Sequence, residues 1–369
     1  MKQLRFEFLR IFSGRKNQLL YLLLTFLVIV LAIYSSNLKN SNDILALKEH
    51  VNQSLQLSKQ NLADYSGDLT VPEDIIKSTK TDYGLLEKQK NALDENDINS
   101  YYKLEYKLNE SRIQSGVAGT DNAGNSLVDD NKYIETVIDR GLDFETFAGT
   151  QLHAFGLMNE IYFPLVLSSL AFIIYVLIGG VSVSSDYESR MNRFYKCKIF
   201  TSKQYILDTF LANSVILSVW YVLAALIYLV IVGLTQRFGS PNYPSGFAGI
   251  SLLENWKVGL FSLLWGILVI IFLNSLGVFL SVLLKKTSIV VGIIAVLILG
   301  YQMIKNQPFL QPIRKFIPMS YFEPIPLLRK EVYLFSSPVV FGAVFLLLLT
   351  ILFLSSSVFI QKQYKIRKV

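Results

Sequence analysis

Six apolar runs, at 19–35, 161–183, 206–234, 258–284, 288–304 and 338–360, decide what this chain can fold into. A bilayer core of roughly 30 Å takes about 20 consecutive apolar helical residues, and a charge at its centre costs about 2.5–3.5 kcal/mol. Asp208 is the one charged residue inside these runs, and it stands near the start of its run, within reach of the headgroups. Basic residues precede the first run, as in a secretory signal, but no small-residue cleavage site follows and the run is long for that role. It reads as a retained helix. The expected fold class is an all-α polytopic membrane protein, with six transmembrane helices and a mainly helical extracellular domain between spans 1 and 2.

Charge orients these spans. Lys2, Arg5, Arg10, Arg15 and Lys16 precede span 1, Arg190, Arg193, Lys196, Lys198 and Lys203 follow span 2, Lys285 and Lys286 form the turn after span 4, and Lys362, Lys365, Arg367 and Lys368 end the chain. By the positive-inside rule those segments are cytoplasmic, so both termini lie inside. This also accounts for the formal charge of +7, which in a soluble chain would point to nucleic acid. Lys305, Arg314, Lys315, Arg329 and Lys330 dissent, since they fall on the outer side of this topology. A single cysteine, Cys197, excludes an intramolecular disulfide, and two histidines make a histidine metal centre a poor expectation.

Between the spans the organisation is uneven. Residues 1–18 form a cytoplasmic amphipathic N-terminal segment, in which Arg5, Phe6, Phe8 and Arg10 suit a helix lying in the membrane surface with its cations toward lipid phosphates. Residues 36–158 are long enough to fold and carry helical patterns from Ser41, from Pro72 toward Leu93, and from Asp97 to Ile113. The stretch at 116–126 has loop composition, and 131–149 is expected to return to helix. Residues 235–257 read as a short extracellular loop. Six prolines between 307 and 338 forbid one continuous helix there, so short, partly buried helices are expected, as an extracellular or re-entrant segment.

Several chemistries lack their motifs. There is no GxxxxGK[ST] phosphate cradle and no HExxH metal motif, so the chain is not expected to be an enzyme or to carry a cofactor or metal. The polar residues within spans, Ser168, Ser169, Asn213, Ser214, Asn274 and Ser275, and the glycines at 179, 180, 259, 266, 292 and 300, read as helix–helix packing sites. No strongly acidic or basic group sits mid-span to drive proton-coupled transport. The informative segment is 184–205, cytoplasmic and rich in both charges, where Met191, Phe194, Tyr195 and Ile199 give a short helix an apolar side. A helix fused to two spans acts as a lever for a soluble partner that grips it.

On this segment and the layout around it, the chain resembles the permease subunits of type-2 ABC exporters. That class carries, after its second span, an acidic segment of the form E-K-E-R-G-T, then a short helix and a Ser-Arg pair before a third span containing Gly-Lys. Asp186 and Glu188 fall on the acidic positions, and Ser202 and Lys203 near the Ser-Arg pair. Ser189, Arg190 and Met191 depart from the motif, as do Asp208 and Thr209. The basic amphipathic start, six spans, the loop between spans 2 and 3 and the proline-broken segment between 5 and 6 match the class in layout.

The resemblance implies a separate cytosolic ATPase, holding the ATP and Mg, docked through Asp186, Tyr187, Glu188, Arg190, Met191, Arg193, Phe194 and Tyr195. It implies a second permease copy or a related permease, and export of a hydrophobic or amphipathic substrate such as a lipid, drug or antimicrobial peptide across a bacterial plasma membrane. The alternative is a non-transporting receptor or scaffold whose extracellular domain binds a peptide or protein partner.

Overall fold

The computed structural model describes residues 2–37, 41–67, 71–115, 122–147, 150–151, 153–189, 201–245, 253–329 and 337–366. Helix dominates throughout. The chain divides into two compact units, one of residues 1–33, 161–231 and 259–369, the other of residues 34–160 and 232–258.

The first unit holds the apolar helices. Helix α1 (Lys2–Ser13) precedes α2 (Arg15–Ser36), the first of the long apolar helices. The elements of the second unit come next in chain order: α3 (Ser41–Gly67), α4 (Glu73–Asp94), α5 (Ile98–Gln114) and α6 (Asn122–Asp139). A bent pair follows, α7 (Ala154–Val166) and α8 (Ser169–Gly180), then α9 (Ser182–Glu188) and the long α10 (Ser202–Gln236). Helices α11 (Asn255–Leu284), α12 (Thr287–Ile304), the short α13 (Pro324–Leu328) and α14 (Pro338–Ile366) complete the order. Among the described residues five helices are long and apolar enough to cross a bilayer, and the bent pair makes a sixth if it counts as one span. Exposed Leu19, Leu22 and Phe26 on α2, and Val340, Leu348 and Ile351 on α14, form the kind of surface that lipid solvates.

The run at 161–183, expected as the second span, does not form one straight helix. It bends by 60° between α7 and α8. Pro164 removes an amide from the helical ladder, and Ser168 starts a new helix by accepting the Ala171 amide on its hydroxyl. The break frees carbonyls in an apolar setting, and the Tyr175 hydroxyl donates to that of Val166 at 3.0 Å. Ser168 is therefore a cap rather than the helix–helix contact expected of it. Two π-helical turns, Met158–Tyr162 and Val176–Gly180, flank the bend on either side.

Helix packing uses some of the expected glycines and not others. A Cβ on Gly277 would lie 2.5 Å from the Gly180 Cα, so these two backbones meet almost directly. Gly179 and Gly266 are likewise closed off, by Asn274 and Tyr221. Gly292 and Gly300 correct the expectation: a Cβ on either meets nothing within 4 Å, because that side of α12 faces open space. The proline-broken segment forms 3₁₀ turns at Pro308–Leu310, Arg314–Phe316 and Pro318–Tyr321, followed by α13. Leu310, Tyr321, Phe322 and Leu327 are buried there, with the Trp265 indole donating to the Tyr321 carbonyl at 2.7 Å.

The second unit is built on the antiparallel succession α3, α4, α5. Val51, Ala92, Leu93 and Tyr101 form its first cluster, flanked by Leu47, Leu55 and Ile98. Asn96, at φ 57°, turns the chain between α4 and α5, and the Asp97 carboxylate caps α5 through the Ser100 amide at 3.0 Å. Two expectations are corrected. Residues 122–126 are helical rather than loop, being the first turns of α6. That helix then stops at Asp139, because Gly141 takes φ +63° and the amides of Gly141 and Leu142 return to Ile138 and Val137. A two-residue antiparallel pairing of β1 (Thr146–Phe147) with β2 (Thr150–Gln151) replaces the helix expected up to 149.

Residues 232–258 are integral to this unit. Tyr243 is fully buried in a cluster with Ile134, Val137 and Phe144, and its hydroxyl accepts the Glu145 amide at 3.0 Å. Arg140 donates to the Asn242 carbonyl at 2.6 Å. Glu145 in turn accepts the Ser240 amide at 2.8 Å and lies 3.6 Å from His153 Nδ1.

Candidate functional site

Helix α1 carries an amphipathic pattern whose buried side is Leu4, Glu7, Phe8 and Ile11, a spacing of three and four residues. Ile11 packs on Ala212 and Ile216 of α10, with Leu4, Phe8 and Tyr21 alongside. Arg5 and Phe6 point to the exposed side, as a surface helix requires, whereas Phe8 faces inward.

Arg10 does not behave as a lipid-facing cation. Its Nη2 pairs with Glu7 at 2.6 Å, and its Nη1 lies 2.6 Å from both carboxylate oxygens of Asp186 in α9. The Tyr205 hydroxyl, at the start of α10, donates to Asp186 Oδ2 at 2.6 Å. Asp186 is only 6% exposed and Glu7 fully buried. Short charge-assisted bonds of this kind are about twice as strong as neutral ones, and here they bind three separate stretches of chain.

The neighbours of Asp186 extend the junction. Glu188 accepts the Thr287 amide at 2.8 Å, placing a carboxylate at the N-terminus of α12 where the helix dipole favours it. Tyr187 donates to Gln361 near the end of α14, and Lys285 sits 5.8 Å over the Tyr187 ring. Below, Val183, Tyr205, Ile206, Phe210, Val278 and Val282 form the apolar floor. A ladder of small hydroxyls continues inward: Ser281 to the Gly180 carbonyl at 3.0 Å, Ser184 to Thr287 at 3.2 Å, and the Asn213 amide to Ser182 at 2.8 Å. Among the described residues no group of three His, Cys, Asp or Glu side chains is placed to hold a metal.

No known protein family, curated protein or solved structure matches this chain. The site therefore stands on its geometry.

Of the sequence-derived site residues, Asp186, Tyr187 and Glu188 come together with Arg10, each making a bond within the chain, while Glu188 stays exposed. Asp186 is buried, with its carboxylate bonded to Arg10 and Tyr205. Arg190, Met191, Arg193, Phe194 and Tyr195 lie outside the described residues. Glu7, Tyr205, Thr287 and Gln361 were not foreseen. Glu7 alone left a signal, an acid set within the apolar stripe of α1 and three residues before Arg10.

Proposed function

We propose that this chain is the transmembrane permease subunit of a type-2 ABC exporter in a bacterial plasma membrane. Both termini are cytoplasmic, and the unit of residues 34–160 and 232–258 lies outside. A cytosolic ATPase supplies the ATP chemistry, a second permease completes the substrate path, and the cargo is hydrophobic or amphipathic.

The observation that supports this reading best is the Arg10–Asp186–Tyr205 junction. An ATPase can work a permease only if the element that it grips is stiffly joined to the spans. Here the segment emerging from α9 at Glu188 is tied to α1, to the start of α10, to the N-terminus of α12 and to the end of α14. A push on residues 190–203 would thus reach five helices as a rigid-body movement. In this account Asp186 and Glu188 hold the lever, while Arg190, Met191, Arg193, Phe194 and Tyr195 make the partner contacts.

The test is to cross-link intact membranes, purify the tagged full-length chain in mild detergent, and identify what co-elutes. A stoichiometric soluble ATPase is expected, lost with R190E/R193E and retained with changes at Lys59 or Lys77 in the second unit. A chain that brings down no ATPase after cross-linking is not such a permease, and the receptor alternative then takes its place.

A further inference from the structure

The break in the second span borders a cavity of about 280 Å³ whose walls come from the α7–α8 break, the end of α12 and the start of α13. It is smaller than the pockets that enclose whole drug-sized ligands, and fits the head of an amphiphile with its tail left outside.

The cavity carries a single charge and several hydrogen-bond acceptors. Pro164, Pro324 and Pro326 line it and carry no amide hydrogen. The amides of Leu167 and Ser168 are already given to Phe163 and Leu165. Glu323 supplies the one charge on its lining. The Gln302 side-chain amide, at 2.8 Å, and the Lys305 ammonium, at 3.4 Å, both contact Glu323 Oε1. Neither of these bonds engages Oε2. The donation from Gln302 also leaves its own side-chain oxygen as an acceptor on the wall. Ser169 adds a hydroxyl. An anion meets the repulsion of Glu323 here, and a neutral head leaves its charge uncompensated. A primary ammonium brings three donors and the opposite charge, and Lys305 already shows this carboxylate beside one.

We infer that the cavity at the α7–α8 break binds the primary ammonium of an amphiphile through Glu323, with Gln302 and Ser169 as further acceptors. The chemistry is shared by an amine-headed lipid and by an amine-bearing cargo, and a role in cargo selection rests on the exporter reading above.

The probe is radiolabelled dodecylamine, offered to the purified full-length chain in phosphatidylcholine nanodiscs without any ATPase, so that the outcome does not depend on transport. Saturable binding is expected, with dodecyltrimethylammonium, which cannot donate, and N-dodecylacetamide each competing about tenfold less well. E323Q should weaken binding about tenfold, and K305A should tighten it by freeing the carboxylate. S169W fills the cavity while leaving the Glu323 side chain in the sequence and should abolish saturable binding, which keeps the test decisive if E323Q fails to fold. Nanodiscs containing phosphatidylethanolamine separate the sources: displacement of the probe identifies the lipid head as occupant, and undiminished binding leaves an amine cargo. Binding that is unsaturable in the native chain, or unchanged in both E323Q and S169W, overturns the site.

Discussion

At Asp186 one carboxylate receives a guanidinium and a phenol from positions far apart in the chain. A buried pair that loses one member leaves the other charge without compensation, at a cost of about 3–5 kcal/mol, whereas an apolar replacement of both is often nearly neutral. D186A is therefore expected to lower the unfolding free energy by about 3 kcal/mol, and R10M/D186L by clearly less. Thermal or denaturant unfolding in detergent reads both, and a D186A protein as stable as the native one would show that the junction bears no weight. His153 and Glu145 carry a second prediction. Burial and the charge of Arg237 hold His153 below its ordinary 6.5, while burial raises Glu145 above its ordinary 4.5. As pH falls below 6.5 the unfolded chain takes a proton at His153 that the folded chain resists, so stability drains away. Glu145 acts oppositely, its contribution being full at low pH and lost as pH rises. H153N should then keep more of its neutral-pH stability at about pH 5.5 than the native chain, and E145Q less, as followed by hydrogen exchange over residues 143–155.

Among the elements, the two glycine classes make opposite forecasts. G277A must push the Gly180 backbone away and is expected to destabilise by about 1–3 kcal/mol. G292A meets no atom of this chain and gains helix propensity, so its effect should be a stabilisation of up to about 1 kcal/mol. Equal losses at both positions in detergent unfolding would mean that the open side of α12 is covered by something else. Composition could not separate these glycines, because a gap and a contact have the same local sequence. The long apolar helices were legible, since apolar length is a property of consecutive residues; the runs at 206–234 and 258–284 fall inside α10 and α11. The bend in the second span was not, although Pro164 and Ser168 were visible. Whether a proline kinks, ends or merely tilts a helix depends on what rescues the freed carbonyls, and here that is Tyr175. The junction failed for a related reason. Asp186 was marked as important from a motif position, but its partner Arg10 lies 176 residues away, beyond any periodicity.

For the whole molecule, the lone Cys197 offers a topology test that needs no new cysteine. A membrane-impermeant maleimide should leave it unlabelled in intact cells and label it in inverted vesicles. Q53C in a C197S background should show the reverse pattern. Labelling of both from the same side would break the six-span arrangement. The assignment of residues 36–158 to a folded unit was within reach of the sequence, because its helices repeat apolar residues at helical spacing. Membership of residues 232–258 in that unit was not, because their contribution is one aromatic side chain and a few backbone groups rather than a pattern.

That shared membership has a consequence in time. The place of Tyr243 among Ile134, Val137 and Phe144 stays empty until the ribosome has made α10 and the residues after it. Between Phe144 and Tyr243 about a hundred residues are synthesised at ~5–20 residues per second, an interval of several seconds in which that cluster lacks one wall. Chaperones and proteases that reach this unit would meet a different protein in those seconds from the one that persists afterwards.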